Sequence, residues 1–239
     1  MRALWICVVA TVLVVAGPDV RAQAVAVFFG TLHSHTDLSD GSGTLSGPET
    51  ADVIGAIREK WLKLGGEGFF GHAIDIERPT FDGVGRAQQF SGGGIISWHP
   101  AIGAFAVWGQ IGEKWVALGR EKYGYPITDE LTCSDGRGRL NHFRAMHLAG
   151  HPEASIYWSP ATGAQEVRGA IRATWFARGA ERGPLGYPTS DEHSTGRGDE
   201  RRSNFVNGRI TWTSARGTRV NDEVIIDHGT ALRPVPPER

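Results

Sequence analysis

Residues Arg168 to Trp212 read RGAIRATWFARGAERGPLGYPTSDEHSTGRGDERRSNFVNGRITW, and this stretch decides the fold because its pattern occurs three times. It opens with Gly169-Ala170-Ile171 and Trp175, turns at Leu185-Gly186-Tyr187-Pro188, reaches Asp191-Glu192 and closes on Phe205-x-x-Gly208-x-Ile210-x-Trp212. Laid over the upstream sequence, it puts Trp175 on Trp115 and Trp61, Phe205 on Phe143 and Phe90, and Trp212 on Trp158 and Trp98. The first tryptophans are 54 and 60 residues apart and the closing ones 60 and 54, so one module recurs with insertions and deletions.

Each copy begins with a predicted helix. Val53, Ile57, Trp61 and Leu64, and again Val107, Ile111, Trp115 and Leu118, draw one apolar stripe at a 3.6-residue period. The third copy keeps Val167, Ile171 and Trp175 but has Arg178 where leucine stands in the others. Gly65-Gly66, Gly119 and Gly179 stand where a left-handed residue ends a helix. A tight extended turn follows, and then short strands ending at Phe143 and Phe205 return through Ile156-Tyr157-Trp158 and Ile210-Thr211-Trp212. The expected fold is an α+β tandem-repeat domain, pseudo-symmetric, each unit a short helix, an LGxP turn and a β-hairpin. The repeats span residues 51–217, at about 51–104, 105–164 and 165–217, with a tail at 218–239.

The set Gly-x-Ile-x3-Trp, then Leu-Gly-x-Pro followed by an acidic residue, then Phe-x-Gly-Gly-x-Ile-x-Trp, resembles the LGFP repeat of secreted and cell-wall-associated bacterial proteins. The third copy has Leu185-Gly186-Tyr187-Pro188 and the second Tyr123-Gly124-Tyr125-Pro126, whereas the first has Phe70-Gly71-His72-Ala73 and departs at the proline. The resemblance implies a non-catalytic module that binds or anchors to cell-envelope polysaccharide, often attached to enzymes that act on the wall.

Of 239 residues 33 are glycine, about twice the ~7 % average, and most of the excess falls in the turns of the repeats. The N-terminus has Arg2, an apolar run from Ala3 to Gly17 and Ala22-Gln23-Ala24, the form of a signal-peptidase site. Export with cleavage after Ala24 is expected, residues 1–24 being a signal peptide and the mature protein secreted or envelope-associated. An uncleaved anchor is the competing reading. The mature chain would carry 23 basic and 25 acidic side chains, a balance that argues against nucleic acid as a partner. Cleavage would remove Cys7 and leave Cys133 alone, excluding an intrachain disulfide and a zinc site with two thiolates.

Residues 25–50 are separate in character. Val25 to Phe29 reads as a short strand running into His33-Ser34-His35 and Ser39-Asp40-Gly41. This HxH resembles the first motif of the polymerase and histidinol phosphatase (PHP) metallohydrolases. Imidazoles at i and i+2 on a strand point to one side and can share a divalent metal such as zinc or manganese, whose bound water could act as nucleophile. Only Asp227-His228-Gly229-Thr230 resembles a later motif of that family, so the resemblance implies an incomplete or interrupted metallohydrolase, with the repeats as accessory. A remnant or a polar turn is the plainer reading of the same residues. Oxygen ligation of calcium by Asp37-x-Ser39-x-Gly41 lacks the bidentate glutamate of an EF-hand loop.

Within the repeats there is no GxSxG, no GxxxxGK[ST] and no HExxH, so no catalytic residues and no cofactor are assigned there. The pairs Asp129-Glu130 and Asp191-Glu192 are read as turn and cap chemistry. Arg197-Gly198-Asp199 is explained by its place at a hairpin entrance. The spacing from Phe to closing Trp is 8, 15 and 7, so the second copy carries an insertion around Ala145 to Glu153. Its His147 and His151 are expected in a solvated loop, because Gly150 and Pro152 oppose the helix that would let them share a metal.

The tryptophans carry most of the functional question. Trp61, Trp115 and Trp175 on the helix stripe are expected in the core. Trp98, Trp158 and Trp212 end the hairpins, where a ring either packs inward or offers a stacking face to a sugar. These three, with Tyr157 and the turn residues Tyr125 and Tyr187, are the candidate polysaccharide-binding residues. A structural repeat protein with no ligand of its own is the third reading.

Overall fold

A computed structural model describes residues 51–221 and strand residues 223–224. The expected signal peptide at 1–24, the HxH segment with His33 and His35, the Asp227-His228 motif and the rest of the tail lie outside the described residues.

Three nine-residue helices, α1 (Gly55–Lys63), α3 (Gly109–Ala117) and α4 (Gly169–Ala177), occupy the expected stripes, and a single turn α2 (Glu67–Phe70) follows the first. Between them lie strands β1 (Arg78–Pro79), β2 (Arg86–Gln89), β3 (Ile95–His99) and β4 (Gly103–Val107). The second set is β5 (Tyr125–Pro126), β6 (Leu131–Thr132), β7 (Arg139–Arg144), β8 (Glu153–Ser159) and β9 (Gly163–Arg168). The third is β10 (His193–Ser194), β11 (Arg201–Phe205), β12 (Gly208–Thr213), β13 (Gly217–Val220) and β14 (Glu223–Val224). All pairings are antiparallel, in sheets ordered β1-β2-β3-β4, β5-β7-β8-β9 with β6 also on β7, and β10-β11-β12-β13-β14. Among the described residues no helix is long and apolar enough to cross a membrane.

The expected hairpin is therefore the centre of a larger meander, and strand outweighs helix. Val107 and Val167, expected on the helix stripe, lie in strands β4 and β9 instead, and the expected boundaries at 104/105 and 164/165 cut through those strands. The physical reason is a glycine hinge. Ile54, Trp108 and Arg168 are extended, and the next residues Gly55, Gly109 and Gly169 have φ of 52°, 57° and 54°, which turns strand into helix at a cost that a side chain would raise. The third sheet likewise continues past residue 217 into β13 and β14.

Each helix lies on the sheet that follows it, and α3 and α4 also touch the sheet before them. One apolar cluster joins Ile95 and Val107 of the first sheet to Ile111 and Trp115 of α3 and to Phe143 and Ile156 of the second sheet. Another joins Leu140, Tyr157 and Val167 to Ile171, Trp175, Phe205 and Ile210. The core thus runs across repeat boundaries, as stacked units that cannot close alone require. Trp115 and Trp175 are fully buried, and the indole N–H of each helix tryptophan donates to the carbonyl of the turn glycine: Trp61 to Gly71 at 3.0 Å, Trp115 to Gly124 at 2.9 Å, Trp175 to Gly186 at 3.1 Å.

Polar contacts stitch neighbouring repeats in the same places. Lys60 Nζ lies 2.7 Å from Asp129 and Lys114 Nζ 2.9 Å from Asp191. The same carboxylates accept the backbone N–H of Ala106 at 3.0 Å and of Glu166 at 2.9 Å. The buried Glu121 accepts from Ser97 and the buried Glu181 from the Ser134 amide. Asp129 and Asp191 are thus inter-repeat ties rather than local caps. At the ends of the array the partners change: Thr174 stands at the lysine position and bonds Thr218 at 2.8 Å, while Ile76 stands at the aspartate position and is exposed.

Candidate ligand-binding clefts

The most regular surface feature is a trio of side chains repeated three times. The register places Arg86 opposite Trp98, Arg139 opposite Trp158 and Arg201 opposite Trp212, so guanidinium and indole share one face of each hairpin. Glu77, Glu130 and Glu192, each just ahead of the preceding short strand, reach those arginines at 3.9, 3.4 and 3.1 Å. Each of the three tryptophans is half-buried against its repeat's core, leaving part of the ring uncovered.

In the first repeat the trio borders a cleft of about 350 Å3 with Ala56, Ile57 and Val84. In the third, Glu192, Arg201 and Trp212 border a cleft of about 350 Å3 with the matching helix residues Ala170 and Ile171. This second cleft is walled on its far side by the preceding repeat: Tyr123, Leu148, Pro152 and Ala154 line it, with Lys122 and Arg168 at the edge. Leu148 and Pro152 belong to the insertion, which forms a loop as expected. His147 lies edge-on to Phe81 with centroids 5.0 Å apart, and His151 has φ 46°.

Behind the cleft sits Glu166, 1 % exposed. Burial pushes its carboxyl up to about 7, against the lowering pull of Arg168, 3.6 Å away, and of the Glu192 N–H that it accepts at 3.0 Å. The buried Tyr123 hydroxyl donates to it at 3.4 Å, and burial followed by the Glu166 charge holds that phenol well above its ordinary range.

The three candidate tyrosines face inward. Tyr157 is 2 % exposed and packs edge-on against Trp175, centroids 4.7 Å apart. Tyr125 donates its hydroxyl to Asp82 at 2.7 Å and contacts Thr80; Tyr187 donates to Asp135 at 2.7 Å. Each turn tyrosine thus reaches into the DG turn of the repeat before it. Burial pushes the Asp82 carboxyl up, but hydrogen bonds from Thr80, Tyr125 and the Val84 and Gly85 amides outweigh it and bring the group to about 2. The closeness of approach explains two glycines: a Cβ on Gly85 would come 2.6 Å from the Tyr125 hydroxyl, and one on Gly138 2.7 Å from that of Tyr187. Burial removes these rings as stacking faces and gives them a role between repeats. His72 stands at the same position in the first repeat and is exposed.

The arginine of each trio and Glu77 carry no candidate role in the sequence pattern, and Glu130 and Glu192 are expected there only in turn and cap chemistry. Their signal is internal: arginine and glutamate recur at fixed offsets in all three copies. Among the described residues no group of three or more His, Cys, Asp or Glu side chains is placed to hold a metal ion.

The model of a family described as "LGFP repeat" matches residues 71–122, 124–183 and 185–228, together more than half of the chain. Each matched window opens at or just before the turn glycine and includes a sheet and, in the first two, the helix after it. No curated protein matches the chain.

Proposed function

The chain belongs to the LGFP repeat family, and on that premise we propose that it is a secreted, non-catalytic module that holds cell-envelope polysaccharide along its three repeats. The observation that carries the reading is the threefold recurrence of a partly uncovered tryptophan beside an arginine–glutamate pair. A flat ring offers a face to the C–H side of a sugar, while guanidinium and carboxylate offer donors and acceptors to its hydroxyls. A polymer with a repeating unit can meet several such sites at once, so weak single contacts add through effective concentration, by ~10² or more if the spacing fits. Binding should vary little with salt, since stacking releases no counterions.

The test is a pull-down of the purified protein on isolated cell walls, with single and triple alanine variants of Trp98, Trp158 and Trp212, each checked for a cooperative melt. Stepwise loss of retention from single to triple variant is expected. A folded triple variant retained as well as wild type would remove these tryptophans from the site, and a wild type that is never retained would sink the polysaccharide reading itself.

A further inference from the structure

The cleft between the second and third repeats differs in kind from its counterpart in the first. Neither lining contains serine, threonine, asparagine or glutamine, but this one has a second apolar wall, Tyr123, Leu148, Pro152 and Ala154 of the preceding repeat, added to Ile171 and Trp212. The Tyr123 hydroxyl is turned away onto Glu166. With apolar side chains on both walls, this pocket can bury an apolar chain in addition to the stacking face that Trp212 offers.

The charge at its mouth has a sign. Arg168 and Arg201 both pair with Glu192, at 3.7 and 3.1 Å, and Arg168 also lies 3.6 Å from the buried Glu166. Arg144 and Arg172 share Glu153, at 2.6 and 3.3 Å. Lys122, with its ammonium 5.9 Å from the centre of the Phe81 ring, takes part in none of the ion pairs among the described residues. Cations therefore outnumber carboxylates around the opening. Helix α4 also begins at the cleft with no side-chain cap on its N-terminus, which adds a weaker preference of the same sign.

We propose that this cleft binds an anionic amphiphile, a medium-length acyl chain ending in a carboxylate, with the chain laid between Leu148, Ile171 and Trp212 and the head at Lys122, Arg168 and Arg201. The insertion in the second repeat supplies the wall that makes the site. It is why one of three equivalent positions becomes a pocket for a chain. The inference does not rest on the polysaccharide reading, and although Trp212 serves both, other variants separate them: Trp98→Ala and Trp158→Ala bear on wall binding alone, Leu148→Asp and Lys122→Glu on acyl binding alone.

The experiment is calorimetric titration of the full-length protein with hexanoate, octanoate and decanoate, alongside decanol and decyltrimethylammonium. Affinity should rise about threefold to fourfold for each methylene added. Decanoate should outbind decyltrimethylammonium by tenfold or more and lose affinity as salt is raised. Leu148→Asp and Lys122→Glu both alter exposed side chains, so the fold should survive, and each should weaken decanoate at least tenfold. Val84→Asp in the first-repeat cleft should change nothing. Equal binding of the cationic and anionic amphiphiles, wild-type affinity in both cleft variants, or no saturable decanoate binding would each overturn the proposal.

Discussion

Tyr187 of the third repeat donates its hydroxyl hydrogen to Asp135 of the second across 2.7 Å, and Tyr125 makes the same bond to Asp82 one repeat earlier. The turn motif of each later repeat is therefore a docking device aimed at its predecessor. Its geometry depends on a glycine under the ring, Gly138 or Gly85, where any side chain would collide with the tyrosine.

Tyr187→Phe keeps the ring and removes the bond to a carboxylate, so the expected loss is about 1–2 kcal/mol in urea denaturation. Gly138→Ala should cost more, because its Cβ would meet both the Trp158 backbone carbonyl of the same hairpin and the Tyr187 ring, so strand and interface must both shift. The reverse order would mean that the interface yields easily and the tyrosine bond dominates.

The lysine–aspartate tie should be asymmetric. Lys114→Met removes a partly exposed ion pair, its side chains 23 % and 35 % exposed, worth under about 1 kcal/mol once solvent screening is counted. Asp191→Ala also strips the acceptor from the Glu166 amide, and an unpaired amide behind a buried strand should cost about 1–3 kcal/mol. Equal losses in thermal melts of the two variants would assign the whole effect to the ion pair.

Stability should fall between pH 5 and 8 on account of Glu166. Burial raises its folded carboxyl from the 4.5 of an ordinary glutamate to about 7, so in that interval the native state holds a proton that the unfolded chain has released. This group's contribution therefore declines as pH rises from 4.5 and is fully lost above 7, a change on the order of 2–3 kcal/mol. Glu166→Gln keeps an acceptor for the Glu192 amide and cannot ionise. Its stability relative to wild type, from urea midpoints at pH 5 and pH 8, should improve by roughly that amount at the higher pH. Parallel pH profiles would show that the carboxyl does not titrate in this window.

The sequence by itself determined the number of repeats, the three helices with their inward tryptophans, Trp115 and Trp175 fully buried and Trp61 partly, and the hairpins that return to Trp98, Trp158 and Trp212. These are features of self-similarity and short-range periodicity. A helix stripe needs residues three and four apart and a hairpin needs near neighbours, so both are written locally. The recurrence of a module confirms each copy against the others.

Only the tertiary structure decided what those residues face. Val107 and Val167 fit a helical period, yet one glycine with positive φ assigns them to strands, and periodicity is blind to that dihedral. Tyr125 and Tyr187 look like solvent-facing turn residues until the preceding repeat arrives beneath them, with partners 43 and 52 positions away. Lys114 and Asp191 are 77 residues apart and share no local pattern. The cleft between the second and third repeats exists only because an inserted loop, a helix start and a closing tryptophan from three separate stretches meet there. Packing across repeat boundaries set those meetings: an apolar face that a single repeat cannot cover has to find its neighbour, and the polar side chains take the partners that this stacking leaves within reach.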